Sequence, residues 1–190
     1  SIISAMDTPA LHTPANPVRF VTAASLFDGH DASINIMRRI LQAQGAEVIH
    51  LGHNRSVDDV VRAAVQEDVQ GVAVSSYQGG HVEYFTYLLE QLKANDRTDI
   101  KVFGGGGGVI VPSEIDLLHQ RGIARIFSPQ DGQSMGLAHM INSMIKACDV
   151  PPHRDGSVDV HSLIAGSERE LARAISAIES GVLPETVLDE

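Results

Sequence analysis

Five short apolar runs, each followed by a stretch of helical period, constrain the fold of this 190-residue chain more than any other feature. The runs of strand length are Val18 to Ala23, Glu47 to Leu51, Gly71 to Ser75, Lys101 to Phe103 and Ala124 to Phe127. The helical stretches that follow them cover about Ser33 to Gln44, Ser56 to Glu67, His81 to Ala94, Pro112 to Arg121 and Asp131 to Cys148. Strand-helix units in succession imply parallel strands, because each new strand needs a crossover, and right-handed crossovers lay helices against the sheet. The expected fold is α/β: a flavodoxin-like, Rossmann-like doubly wound five-stranded parallel sheet with helices on both faces. If the strand order is 2-1-3-4-5, a ligand sits beyond the carboxyl ends of the strands, between the first and third, where the winding reverses.

The punctuation agrees with this reading. Ser56 with Asp59 three residues later is a capping signal, Pro112 suits a first helical turn, and Gly45 and Gly122 suit helix ends. Residues 1–17 hold three prolines and no apolar period, so they are expected to form a loose leader or to rest on another surface. Residues 18–148 are expected to form one domain, and a chain this long can bury about 70% of its unfolded surface in a single core. Residues 149–190 are expected to be a linker and a helical lead-in.

Charge and composition narrow the function. A formal net charge of −10, with 14 scattered Lys and Arg, argues against a nucleic-acid surface. The apolar runs are short and broken by glycine or charge, and no basic-then-apolar leader precedes them, so neither a membrane span nor a signal peptide is expected. The lone Cys148 excludes an internal disulfide and fits a reducing, cytoplasmic compartment. With no His or charged activator beside it in sequence, it reads as a partly buried helix residue and not a nucleophile.

Three unusual loops follow the first, third and fourth strands and should meet at one edge of the sheet. In Asp28-Gly29-His30-Asp31 the carboxylate and the imidazole are two residues apart, so in extended backbone both point the same way and Gly29 tolerates an unusual turn. A carboxylate on one ring nitrogen fixes the tautomer of an imidazole that binds metal through the other. The competing reading is a helix N-terminus with Asp28 or Asp31 as cap and a solvated His30. Ser75-Ser76-Tyr77-Gln78-Gly79-Gly80-His81 offers hydroxyls suited to a polar ring edge or an amide, or else turn caps, and His81 with Glu83 suits a solvated first turn.

Gly104 through Gly108 would be tolerated in a compact domain where backbone must approach something closely, the alternative being a flexible surface loop. The run is no dinucleotide fingerprint, since it follows the fourth strand and no acidic residue ends the next one; nor does the chain contain a Gly-x-x-x-x-Gly-Lys-Ser/Thr phosphate loop. His50 and His53 alone are a weak zinc pattern. Met37, Leu41, Leu88, Leu89, Met140 and Met144 recur at helical spacing and read as core.

Asp28-x-His30-x-x-Ser33, then Ser75-x-Tyr77, then Gly107-Gly108 before Val109-Ile110, resembles the Asp-x-His-x-x-Gly, Ser-x-Leu and Gly-Gly signature of the cobalamin-binding domain in methylmalonyl-CoA mutase-type enzymes. The likeness runs from about Val18 to Cys148, and its wording is nearest to the isobutyryl-CoA mutase branch, particularly the fused form. The resemblance implies adenosylcobalamin bound base-off, with His30 as the lower axial ligand to cobalt and Asp28 hydrogen-bonded behind it. It also implies that the displaced nucleotide tail lies in a slot between sheet and helices, lined by Ser75, Tyr77 and the glycine run. The cofactor-binding positions it implies are Asp28, Gly29, His30, Asp31, Ser33, Ile34, Ser75, Tyr77 and Gly79, with Gly107, Gly108, Val109 and Ser128 from the later loops.

The chain departs from the family pattern at three places. Ser33 stands for the last glycine, Tyr77 for leucine, and Ala24 where methylmalonyl-type mutases carry a lysine near the aspartate. The first two imply a narrower or more polar slot. The partners implied are an acyl-CoA-binding mutase barrel and a chaperone GTPase, to which Ser167 to Ile175 resembles the lead-in; the chain alone is not expected to turn over substrate. Two other classes stay open on the same fold: a cobalamin-dependent sensor or corrinoid carrier, and a flavin or phosphoryl-receiver domain. The carrier class usually has a helical cap upstream, and a receiver needs an Asp where Ser75 stands.

Overall fold

The computed structural model describes residues 9–25 and 32–151. The elements run β1 (Arg19–Ser25), α1 (Ala32–Ala43), β2 (Glu47–Arg55), α2 (Val57–Gln66), β3 (Gly71–Ser75), α3 (His81–Ala94), β4 (Lys101–Gly105), α4 (Pro112–Arg121), β5 (Arg125–Phe127), α5 (Pro129–Met135) and α6 (Leu137–Cys148). All strand pairs are parallel and the order is β2-β1-β3-β4-β5, as the strand-helix alternation predicts.

Strand alternation divides the core into two faces. Val21, Ala23, Val72, Val74, Val102 and Ile126 pack with Val57, Val60, Val61 and Ala64 of α2, with Phe85, Leu88 and Leu92 of α3, and with Leu118 of α4. Phe20, Ala73, Phe103 and Phe127 face the other way, onto Leu41 of α1 and Met140, Ile141, Met144 and Ile145 of α6. Phe20, Phe85, Leu41, Leu88 and Ile141 are completely buried, each contributing about 1.5–3 kcal/mol relative to exposure.

The helix signals act as read. Asp59 N–H donates to Ser56 Oγ at 3.1 Å while the Asp59 carboxylate accepts from Ser56 N–H, so two end amides of α2 are satisfied reciprocally. Gly45 and Gly122 take φ of 101° and 114°, which few other residues adopt. The described part of the leader rests on the end of α6, where Asp149 accepts from the His12 ring, from the Ala15 amide and from both the amide and the side chain of Asn16.

Three expectations change. The stretch from Asp131 to Cys148 is two helices, because Gly136 at φ 78°, ψ 148° leaves helical space and lets α6 start in a new direction. β2 runs on to Arg55 through register shifts against β1, with Gly52 and Asn54 at positive φ; an edge strand paired on one side only can carry such irregularity. Gly104 and Gly105 belong to β4 and not to the loop after it. Gly104 is required by packing, since a Cβ there would stand 2.4 Å from Phe85 Cζ and 2.8 Å from Ile126 Cδ1.

Candidate functional site

Register places the ends of the strands level. Ala24 pairs with Ser75, Ser75 with Gly105, and Gly105 with Phe127, so three loops leave the sheet along one edge. The edge is held by Ser76 N–H donating to Gly105 O at 2.8 Å. Successive residues at a strand end point to opposite faces. Ser75 therefore faces the α1/α6 side, and Ser76 faces the α2/α3 side, where its hydroxyl accepts from Ser25 Oγ at 3.3 Å.

On the α1/α6 side lies a slot of about 210 Å³. Its walls are Ser33, Ile36 and Met37 of α1, Ser75 and Tyr77, the backbone of Gly105, Gly106 and Gly107, Phe127, and Leu137 and Met140 of α6. Two glycines make one wall pure backbone for intramolecular reasons. A Cβ on Gly106 would stand 2.2 Å from Ser76 O, and one on Gly107, which sits at φ 57°, would stand 2.6 Å from the Tyr77 ring. The Tyr77 ring thus lies directly on the glycine turn, and its hydroxyl donates to Ser33 Oγ at 2.8 Å. Two of the three positions that depart from the family pattern are thus hydrogen-bonded to each other.

Ser75 carries the chemistry of this slot most directly. It is 2% exposed, and among the described residues its Oγ has no hydrogen-bond partner. A buried hydroxyl left unpaired costs about 1–3 kcal/mol, which a ligand atom in the slot recovers. Among the described residues the walls otherwise carry apolar groups and the Ser33 and Tyr77 hydroxyls, with no charged side chain, which suits a flat, mostly apolar group.

A second cleft of about 480 Å³ opens on the opposite face of the same edge, between the cap Ser56 with Val57 and Asp58 of α2 and Glu83, Tyr84 and Tyr87 of α3, with Ser25, Ser76, Gly79 and Gly80 also lining it. Tyr84 OH donates to Arg55 O at 2.8 Å, and burial, with Asp59 nearby, raises its pKa. Beside this cleft His81 is buried, in place of the solvated first turn expected. Its Nε2 lies 2.7 Å from Glu114 Oε2, and since an ionised carboxylate can only accept, the ring donates. The pair ties the start of α3 to the start of α4, where Glu114 also accepts from Val111 N–H at 3.2 Å.

Of the positions read from sequence, Ser33, Ser75, Tyr77 and Gly107 meet around the slot. Ile34 is fully buried in the core beside it. Gly79 belongs to the second cleft, Val109 is 43% exposed, and Gly108 turns at φ 97° without lining the slot. Ser128 caps α5, accepting from Asp131 N–H at 3.3 Å, and is not among the slot's walls. Asp28, Gly29, His30 and Asp31 lie outside the described residues. Phe127, Leu137 and Met140 were not anticipated as slot walls, Met140 reading as core from its helical spacing. Among the described residues no cluster of three or more His, Cys, Asp or Glu is disposed to hold a metal, and Thr22 Oγ1 lies 2.8 Å from His50 Nδ1. No described helix is long and apolar enough to cross a membrane.

Residues 18–137 match the B12 binding domain family. The chain belongs to that family. The match contains every wall of the slot except Met140, three residues past its end. This B12 binding domain is 64% identical over 168 residues to the fused isobutyryl-CoA mutase of Cupriavidus metallidurans, covering 88% of the chain and 15% of that protein. It is 61% identical over 179 residues to the fused isobutyryl-CoA mutase of Nocardia farcinica, covering 94% of the chain and 16% of that protein. The chain therefore spans about 15% of the length of these curated relatives. Among solved structures, a cobalamin-binding protein from Desulfitobacterium hafniense aligns with a TM-score of 0.56 at 24% identity, over 68% of this chain and 58% of that one, a likeness of fold.

Proposed function

We propose that the chain binds adenosylcobalamin base-off, as the cofactor-binding domain of an isobutyryl-CoA mutase-like enzyme. In this reading the His30 imidazole is the lower axial ligand to cobalt, Asp28 holds its other ring nitrogen, and the displaced nucleotide tail enters the slot beside Ser75. The observation that carries it is the buried Ser75 Oγ, without a partner among the described residues, in a slot at the carboxyl ends of the strands. The residues present fit the group: one wall is backbone, the others are apolar, and the polar contacts are hydroxyls.

Bound adenosylcobalamin supplies radical chemistry for the carbon-skeleton rearrangement between isobutyryl-CoA and n-butyryl-CoA. The chain's own part is to bind and orient. Ser33, Tyr77 and the glycine turn fix the slot. The acyl-CoA would be held by a mutase barrel, and a chaperone GTPase would load the cofactor; both would be supplied by other parts of a longer protein or by partner chains.

The test is a visible-absorbance titration of the purified chain with adenosylcobalamin, paired with electron spin resonance of the reduced cobalt. The expected result is a base-off spectrum with nitrogen coupling that disappears in His30→Ala. A chain that leaves the cofactor spectrum unchanged, or a His30→Ala variant with the same nitrogen coupling, overturns the proposal.

A further inference from the structure

Residues 9–16 are bonded along the whole length of α6. His139, in the first turn of that helix, donates from Nε2 to Pro9 O at 2.7 Å. Asn142, only 7% exposed, pairs with the backbone of His12 in both directions, accepting from its N–H at 2.7 Å and donating to its carbonyl at 2.9 Å. At the far end Asp149, with a side chain 5% exposed, accepts from the His12 ring, the Ala15 amide and both the amide and the side chain of Asn16. Exposure alternates along the segment: His12, Pro14 and Asn16 are half-buried, and Leu11, Thr13 and Ala15 are exposed. That is the period of an extended strap.

The same Asn142 joins the strap to α1. Its Nδ2 also donates to Gln44 Oε1 at 3.0 Å, just past the end of α1, and Gln44 Nε2 donates to Ala138 O at 2.9 Å. Pro14 lies against the turn that closes α1, where a Cβ on Gly45 would stand 3.4 Å from Pro14 Cγ. Strap, α1 and α6 therefore form one bonded unit. The opening turns of the two helices are walls of the slot, through Ser33, Ile36 and Met37 on one and Leu137 and Met140 on the other. The strap holds the gap between those walls from outside the slot.

We infer that docking of the 9–16 strap is coupled to cobalamin binding, with Asn142 as the positioning residue that sets the spacing of α1 and α6. This rests on the reading that the cofactor's tail enters the slot. A tail seated between the two helices binds best at the strapped spacing, so it holds the strap down. The docked strap in turn raises affinity for the cofactor. The two effects are equal by thermodynamic reciprocity, and couplings between separate sites run from about 5-fold to 150-fold.

Hydrogen exchange at the His12, Ala15 and Asn16 amides of the 190-residue chain, with and without saturating adenosylcobalamin, reads the strap, and a visible-absorbance titration reads the cofactor. The expected result is exchange slowed about fivefold or more by adenosylcobalamin. The Asp96 amide, which donates to Lys93 O at the end of α3, serves as the unchanged reference. His12→Pro, which removes a strap donor, and Asn142→Ala should each weaken adenosylcobalamin binding by up to the same factor. Unchanged strap exchange in a chain that binds the cofactor overturns the inference and leaves the reading of the slot standing, as does unchanged affinity in both variants. If tail-less cobinamide protects the strap as strongly as adenosylcobalamin, the tail does not act through the slot and the underlying reading falls with the inference. His12→Pro alters only the leader, so the wild-type fold should persist, and circular dichroism of the variant checks it.

Discussion

His81 Nε2 and Glu114 Oε2 lie 2.7 Å apart, joining the start of α3 to the first turn of α4 across the edge where the slot and the second cleft both open. The bond from Val111 N–H is the largest influence on the Glu114 carboxyl, and with the His81 contact it outweighs desolvation and holds the pKa below its ordinary 4.5.

A carboxyl with a depressed folded-state pKa contributes stability that is present above its unfolded value and lost as pH falls through the folded one. Thermal melts of wild-type and Glu114→Gln chains should therefore differ by a constant gap at neutral pH, closing as pH drops below about 4.5. A gap that stays the same down to strongly acid pH would show that this carboxylate contributes nothing by being ionised.

The two glycines of β4 and its turn should separate packing from binding. Gly104→Ala drives a methyl against Phe85 and Ile126 in the core, away from the slot, and should cost about 1–3 kcal/mol in urea unfolding with corrinoid affinity retained. Gly107→Ala strains a positive φ and displaces the Tyr77 ring, so it should weaken corrinoid binding as well as stability. Equal effects of the two on binding would contradict the separate roles assigned to them.

Asp149→Ala removes the acceptor for the His12 ring, the Ala15 amide and two Asn16 donors. Burial opposes ionisation of this carboxyl, but the Ala15 amide, His12 and Asn16 prevail and set its pKa well below the usual range. The variant should lose about 1–3 kcal/mol, and limited proteolysis should cut the 9–17 segment faster than in the wild type. Unchanged cleavage there would mean that the leader is held by something else.

Removing the carboxylate behind a metal-bound imidazole typically weakens the metal by about 10–100-fold, and Asp28→Ala should weaken cobalamin binding by a similar factor. An unchanged titration would dissociate Asp28 from the axial ligand.

Cys148 should resist modification. Burial pushes its thiol up to about 12, Lys101 opposing only weakly, and Sγ faces Gln70 O at 3.5 Å. Since the thiolate is the reactive form, iodoacetamide at pH 8 should label it only as fast as the chain opens, with the rate rising in urea in step with unfolding. Rapid labelling of the folded chain would place the thiol at the surface.

The sheet order and the slot's position were legible because both follow from local pattern. Strand-length runs alternated with helical ones, and the winding reversal fixed where loops gather. What escaped was decided by contacts between distant residues. Gly104 looked like loop because its partner, the Phe85 ring, is contributed by α3, earlier in the chain. His81 looked solvated because Glu114 lies 33 positions away. The break at Gly136 went unread because apolar spacing continues through it, and the glycine's positive φ has no trace in periodicity. Ser75 and Ser76 looked like one hydroxyl cluster, although a strand end sends them to opposite faces.

The slot is continuous with one of the two cores: Phe127 and Met140 belong to the cluster around Phe20 and Ile141, and Met37 packs against it. Any group that fills the slot becomes part of that core, so occupancy and folding are linked equilibria. A ligand at 100 times its dissociation constant adds about 2.7 kcal/mol of stability by mass action alone. For this chain, resistance to unfolding is then set partly by how much corrinoid surrounds it, and the melting temperature becomes a gauge of cofactor supply.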